Sequence, residues 1–165
     1  NTFSSGNLVC LTLRDCHNSV RDEDMVDLSR FVGHSLQVLN VRNIKLTKPR
    51  GSFPQLRRLR LCGCFHLRDL SGMDLPNLTE LDLSFCLKLT GDDIQAVVKT
   101  NSLTLKRLVL MKCSNVESLS LVRPYNGIRE LKIDSCHNLK KLVLLSTDLS
   151  LFEVRLGVLV LSLVA

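Results

Sequence analysis

Six times along these 165 residues the same frame returns, with an aliphatic residue at the first, fourth and sixth positions and, in five of the six copies, a cysteine at the ninth. The complete copies are Leu8/Leu11/Leu13/Cys16, Leu56/Leu59/Leu61/Cys64, Leu78/Leu81/Leu83/Cys86, Leu105/Leu108/Leu110/Cys113 and Ile128/Leu131/Ile133/Cys136. Leu36/Leu39/Val41 departs at its close, with Asn43 eighth and Ile44 ninth, and its turn is expected to lack the side-chain donor of the others. First positions follow one another at steps of 28, 20, 22, 27, 23 and 23 residues, the last reaching a weaker seventh copy, Leu151/Val154/Leu156. Such a pattern constrains the fold to a stack, because each copy supplies one short strand and cannot bury its apolar side without a neighbour.

The frame is the L-x-x-L-x-L-x-x-C signature of a leucine-rich repeat. It predicts an α/β solenoid, curved, with parallel strands on the concave face and a mixture of helices and extended segments on the convex face. About seven repeats over residues 1–165 form one domain in this reading. Absence of tryptophan and an aromatic content of 4% suit a core of stacked leucines. The two long steps carry helical inserts: Met25, Leu28, Phe31 and Val32 after Ser19-Val20-Arg21-Asp22, and Ile94, Val97 and Val98 after Thr90-Gly91-Asp92-Asp93. In both, Ser or Thr stands three residues ahead of an Asp, a variant of the capping box. In the short steps, Leu67–Leu70, Val116–Leu121 and Leu139–Leu144 read as turn-like or extended.

Cys16, Cys64, Cys86, Cys113 and Cys136 are expected to be structural. A strand ending at the rim of a solenoid leaves backbone groups of the next turn buried, at about 1–3 kcal/mol for each one unpaired. A thiol is small enough to turn inward there and partly polar. Seven cysteines, an odd number, five of them at one repeat position, fit this role and a reducing cytoplasmic or nuclear compartment better than a secreted disulfide framework. Zinc is the rival, through Cys62-Gly63-Cys64 with His66 and the Cys16-His17 and Cys136-His137 pairs. Ninth positions strung along a line about 4.8 Å apart do not converge tetrahedrally. No metal or other cofactor is expected, and Cys62 with His66 are the metal candidates worth testing.

Positions two, three, five, seven and eight point away from the core. The third runs Cys10, Val38, Arg58, Glu80, Arg107, Glu130, Glu153 and the fifth Thr12, Asn40, Arg60, Asp82, Val109, Lys132, Arg155. Charges mostly alternate from the third repeat on, so a cross-strand ladder Arg58/Glu80/Arg107/Glu130 is expected. It neutralises much of the net +6 and disfavours a uniform phosphate-binding stripe, so nucleic acid is not the expected partner. What survives as a partner-binding site is Arg14, Arg42, Arg57 and Arg60 with Phe85 and Met111, a composition enriched at protein interfaces. Phe85 serves equally as a shield over the strand edge.

Leu78 to Ile94, with its capped insert, resembles the repeats of F-box leucine-rich-repeat proteins, and Cys136-His-Asn-Leu-Lys-Lys-Leu142 is similar to repeats of plant-type members. The resemblance implies a ribonuclease-inhibitor-like fold and a substrate receptor of a cullin-type ubiquitin ligase that reaches a Skp-type adaptor through an F-box. No F-box motif is found in these residues. The polar start, without Met, and the apolar run Leu156–Ala165 predict a piece of a longer protein; that run is too short to span a bilayer, and no membrane partner is expected. The leading function is protein recognition; the alternative is a structural or assembly subunit docked through Leu156–Ala165. An enzyme is not expected, since no nucleophile elbow, phosphate loop or metal-binding helix motif is found and Asp92/Asp93 read as helix-start charges.

Overall fold

The computed structural model describes residues 7–16, 19–101, 103–121, 127–144, 151–155 and 160–163, with backbone alone at 151, 152 and 160–163. In each repeat the aliphatic residues at positions four and six point inward and positions three, five and seven outward, the two-residue alternation of a strand. The chain forms β1 (Cys10–Arg14), α1 (Asp22–Val32), β2 (Val38–Arg42), β3 (Gly51–Ser52), β4 (Arg58–Cys62), β5 (Met73–Asp74) and β6 (Glu80–Asp82). It continues through α2 (Gly91–Thr100), β7 (Arg107–Met111), β8 (Ser118–Leu121), β9 (Glu130–Asp134), β10 (Lys141–Leu144), β11 (Leu151–Arg155) and β12 (Val160–Leu163).

Seven strands make one parallel sheet in the order β1-β2-β4-β6-β7-β9-β11. At the strand entrances one carbonyl serves two donors: Val9, Gln37, Arg57, Thr79 and Lys106 each accept from positions two and three of the next repeat at 2.8–3.0 Å. This fork locks the register of the first six copies as the frame predicts. Leucines and isoleucines at positions four and six are at most 1% exposed from β2 through β9, while Leu11 and Leu13 on edge strand β1 are half-buried.

The seventh copy is set differently. β11 pairs Leu151 with Glu130, Phe152 with Leu131 and Val154 with Ile133, so the fourth position is Phe152 and not Val154. An aliphatic template passes over a phenylalanine in that slot. A slip of two residues leaves the outward set unchanged. It moves Glu153 from the third column to the fifth, beside Lys132, and Arg155 from the fifth to the seventh.

Across from the sheet, α1 and α2 follow β1 and β6, and the short repeats carry extended segments. β8, β10 and β12 form a three-stranded parallel sheet and β3 and β5 a two-stranded one. Residues Val116–Leu121 and Leu139–Leu144 thus contain the expected extended stretches, whereas Leu67–Leu70 lies in neither helix nor strand, ahead of a turn at residues 71 and 72 and then β5. Helix α2 packs against β8 so closely that a Cβ on Gly91 would lie 1.7 Å from the Ser118 carbonyl oxygen. Of the apolar run Leu156–Ala165, Val160–Leu163 is β12, alongside β10; the rest lies outside the described residues. No helix among the described residues is long and apolar enough to cross a membrane.

Helix α2 starts as expected. Thr90 Oγ1 accepts from the Asp93 amide at 3.2 Å, and Asp93 Oδ2 accepts from the Thr90 amide at 2.8 Å. Helix α1 does not use Ser19: its N-cap is Arg21, whose amide donates to Asp24 Oδ2 at 2.7 Å. Asp22 is unavailable as the box acid because its carboxylate caps the next repeat, accepting from the Thr47 and Lys48 amides at 2.9 and 3.0 Å and from the Thr47 hydroxyl. Thr90→Ala is accordingly expected to lower stability by about 1 kcal/mol and Ser19→Ala by no more than a few tenths, read from urea unfolding midpoints.

Candidate functional site

The edge where the strands end is built by one repeated turn. Position eight is left-handed in all six copies: Asp15, Asn43, Gly63, Phe85, Lys112 and Ser135 have φ between 52° and 70°. Each of these amides donates to the position-seven carbonyl of the next repeat, at 2.7–3.1 Å, and extends the ladder by one bond. Gly, Asn and Asp adopt this conformation readily; Phe and Lys do so at a steric cost. At the two costly positions the side chains meet, with Lys112 Nζ 5.3 Å from the centre of the Phe85 ring. Gly63 is fixed by space as well as by φ, since its Cβ would fall 2.2 Å from Asn43 Oδ1.

The left-handed step turns the ninth side chain under the preceding repeat. Cys86 Sγ donates to the Leu61 carbonyl at 2.9 Å and Cys113 Sγ to the Leu83 carbonyl at 3.3 Å. In the other direction the Cys113 amide donates to Cys136 Sγ at 3.4 Å, and the Ile44, Cys64 and Cys86 amides donate to the sulfurs of Cys64, Cys86 and Cys113. The sulfurs of Cys64, Cys86, Cys113 and Cys136 thus each serve the turn before their own, and the Cys113 and Cys136 thiols also lie 3.7 and 3.6 Å from the Met111 and Asp134 carbonyls of their own turns. Among the described residues no thiol donates to the Ile44 turn, as expected, although the Cys64 sulfur accepts from its amide; the turn of Cys16 receives no ninth-position sulfur from the next repeat. There Cys16 Sγ donates to its own repeat's Arg14 carbonyl at 3.1 Å, and Asn43 Nδ2 bridges to Asp15 Oδ1 at 2.8 Å.

Burial pushes the Cys64 thiol up to about 11 and Cys86 well above the ordinary range. Cys113 is held protonated first by its contact with Cys136 and then by burial. Cys62 sits on the outward face, half-exposed, with burial and Asp82 raising its pKa against the pull of Arg42 and Arg60. His66 is exposed, and among the described residues no three His, Cys, Asp or Glu side chains are grouped to hold a metal.

On the concave face the expected ladder is present. Arg58 meets Glu80 at both ends of its fork, Nε 2.8 Å from Oε2 and Nη2 donating to Oε1 at 2.9 Å. Arg107 lies 4.0 Å from Glu80 and 2.9 Å from Glu130. The fifth column adds Lys132 to Glu153 at 3.1 Å, and Arg155 reaches the same carboxylate at 2.8 Å. Asp82, paired in register with Arg60, turns instead to Ser84, accepting from its amide and hydroxyl at 3.0 and 2.5 Å. None of the ion pairs among the described residues includes Arg14, Arg42, Arg57 or Arg60.

These arginines do not form one group. Arg14 and Arg42 are register partners at position seven, and Arg60 is diagonal to Arg42 on the same face, one strand over and two residues back. Arg57 lies at the strand entrances on the opposite rim. Phe85 and Met111 are brought together by the bond from the Phe85 amide to the Met111 carbonyl at 2.7 Å, and both are half-buried. Sequence reasoning missed Lys112, which covers Phe85, and the exposed Phe65 and Leu87, each directly after a ninth-position cysteine. A tenth-position column would have exposed the last two.

The leucine-rich-repeat domain family described as At1g61320/AtMIF1 matches residues 28–164. The chain belongs to this family. No curated protein and no solved structure matches the chain. Within the At1g61320/AtMIF1 domain the thiols carry a measurable signature. A folded pKa raised above the unfolded value means that unfolding releases protons at high pH, so stability falls as pH rises from the unfolded pKa to the folded one. For Cys64 that window is pH 9 to about 11. Stability in urea is expected to fall there by about 1.4 kcal/mol per pH unit for each buried thiol whose pKa is raised, as at Cys64. Cys86→Ala is expected to cost about 2–4 kcal/mol at neutral pH, because it strands the Leu61 carbonyl and Cys64 amide together, while Cys62→Ala changes little.

Proposed function

We propose that this domain is a protein-recognition module whose contact surface is the C-terminal edge of the concave sheet. A leucine-rich-repeat solenoid is a scaffold that presents a surface. The observation that carries the assignment to this edge is electrostatic. The acids along the middle of the sheet are engaged by the ladder or by Ser84, whereas Arg14, Arg42 and Arg60 have no ion-pair partner among the described residues and the half-buried Phe85 and Met111 follow on the same edge. Desolvated apolar anchors beside arginine forks are the composition of binding hot spots.

We further infer that the domain is the recognition half of an F-box-type ubiquitin ligase receptor in a reducing compartment. Support comes from the likeness of Leu78 to Ile94 and Cys136 to Leu142 to repeats of that class, and from the use of buried thiols as hydrogen-bonding groups. The expected outcome is that the full-length gene encodes an F-box ahead of residue 1 and that the full-length protein recovers a Skp-type adaptor in a pull-down. An upstream sequence without an F-box, together with no adaptor recovered, removes the ligase reading and leaves the recognition reading intact.

A further inference from the structure

Resting on that recognition reading, we propose that the edge takes one extended peptide segment of two parts: a pair of neighbouring carboxylates over Arg14, Arg42 and Arg60, and an apolar side chain on the Phe85–Met111 pair. Charge complementarity selects the first part. Three guanidinium groups stand on adjacent strands with no ion-pair partner among the described residues, and two neighbouring acids, Asp15 and Asp82, are occupied by Asn43 and Ser84. A single carboxylate leaves such a cluster two charges short; two bring it within one charge of neutrality, each able to meet an arginine fork at two points.

The spacing between the parts follows from the sheet. From Arg42 on β2 to Met111 on β7 is three strand steps, about 14 Å at the usual strand separation. An extended peptide covers that distance in about four residues. Between the two parts lies Gly63, which offers no side chain at position eight and leaves the path low. Beyond Met111 the edge becomes acidic at Asp134, so the acidic end of the peptide is directed toward β1 and the apolar end toward β7. A continuous polyanion fits badly, because the Asp134 carboxylate lies where the edge continues past Met111.

The test uses the 165-residue chain and fluorescent peptides bearing Asp-Asp, a Gly/Ser spacer of about four residues, and Leu, read by fluorescence polarisation. Arg14→Glu with Arg42→Glu is expected to weaken binding about tenfold or more, and Met111→Ser by a smaller separate factor, whereas Arg57→Glu on the opposite rim leaves it unchanged. Replacing Asp-Asp by Asn-Asn, or halving or doubling the spacer, is expected to abolish the gain over the unmodified spacer peptide. Circular dichroism of each variant confirms that the fold is retained, and the peptide changes test the same claim without touching the protein. The proposal is overturned if Arg57→Glu weakens binding as much as the Arg14/Arg42 pair. It is equally overturned if spacer length is immaterial, if only a phosphoserine version of the peptide binds, or if a single-stranded oligonucleotide binds more tightly than the peptide. A purified protein partner whose binding is lost with Arg57→Glu and kept with Arg14→Glu/Arg42→Glu overturns this site while leaving the recognition reading in place.

Discussion

The sulfur that reaches back under the preceding turn is the interaction on which the rest of the stack depends. A strand five residues long ends before its backbone has turned away from the core, and the groups of the turn are sealed from water. One thiol answers two of them in the neighbouring repeat, accepting from an amide and, at Cys86, Cys113 and Cys136, donating to a carbonyl. Because donor and acceptor belong to the previous repeat, the bond is a coupling between repeats, the nearest-neighbour term that stabilises a solenoid. The left-handed residue at position eight is the geometric condition for it, and it is kept even where phenylalanine and lysine must bear the strain.

A regular inner edge fixes the outer face by register. Once each strand is locked by the forked entrance carbonyl and by the exit turn, positions three, five and seven become columns, and chemistry along a column is decided by neighbours one strand away. Arg58, Glu80, Arg107 and Glu130 answer one another in such a column. The three arginines of the first repeats stand in columns where the adjacent residues are each other, a cysteine, an asparagine, or an aspartate turned toward its own strand. A charge pattern that is spread along the sequence thus becomes a compensated centre and an uncompensated corner.

Most of the sheet was legible because its signal is periodic. The first, fourth and sixth positions placed six strands in register and predicted the ladder. The capping pair Thr90/Asp93 placed α2. What escaped depends on contacts between repeats, which a frame read one copy at a time does not contain. Asp22 looked like the partner of Ser19 and is instead committed to Thr47 and Lys48. Phe152 takes the fourth-position register that an aliphatic template reserves for leucine. Ile44 marks a missing thiol, and the turn one repeat earlier, which that thiol would have served, goes without one too. In the proposed site, the composition of the edge was readable from Arg14, Arg42, Arg60, Phe85 and Met111, while the separation of Arg57 to the far rim required the hydrogen bonds at the strand entrances.

The direction of the sulfur bond is the claim with the sharpest consequence, and residue-resolved amide hydrogen exchange on Cys86→Ala tests it. If each thiol serves the preceding turn, the Cys64 amide loses protection in this variant, while the amide of residue 86, held by Cys113 Sγ and the Leu83 carbonyl, keeps it. Loss of protection at residue 86 with the Cys64 amide unchanged contradicts the account.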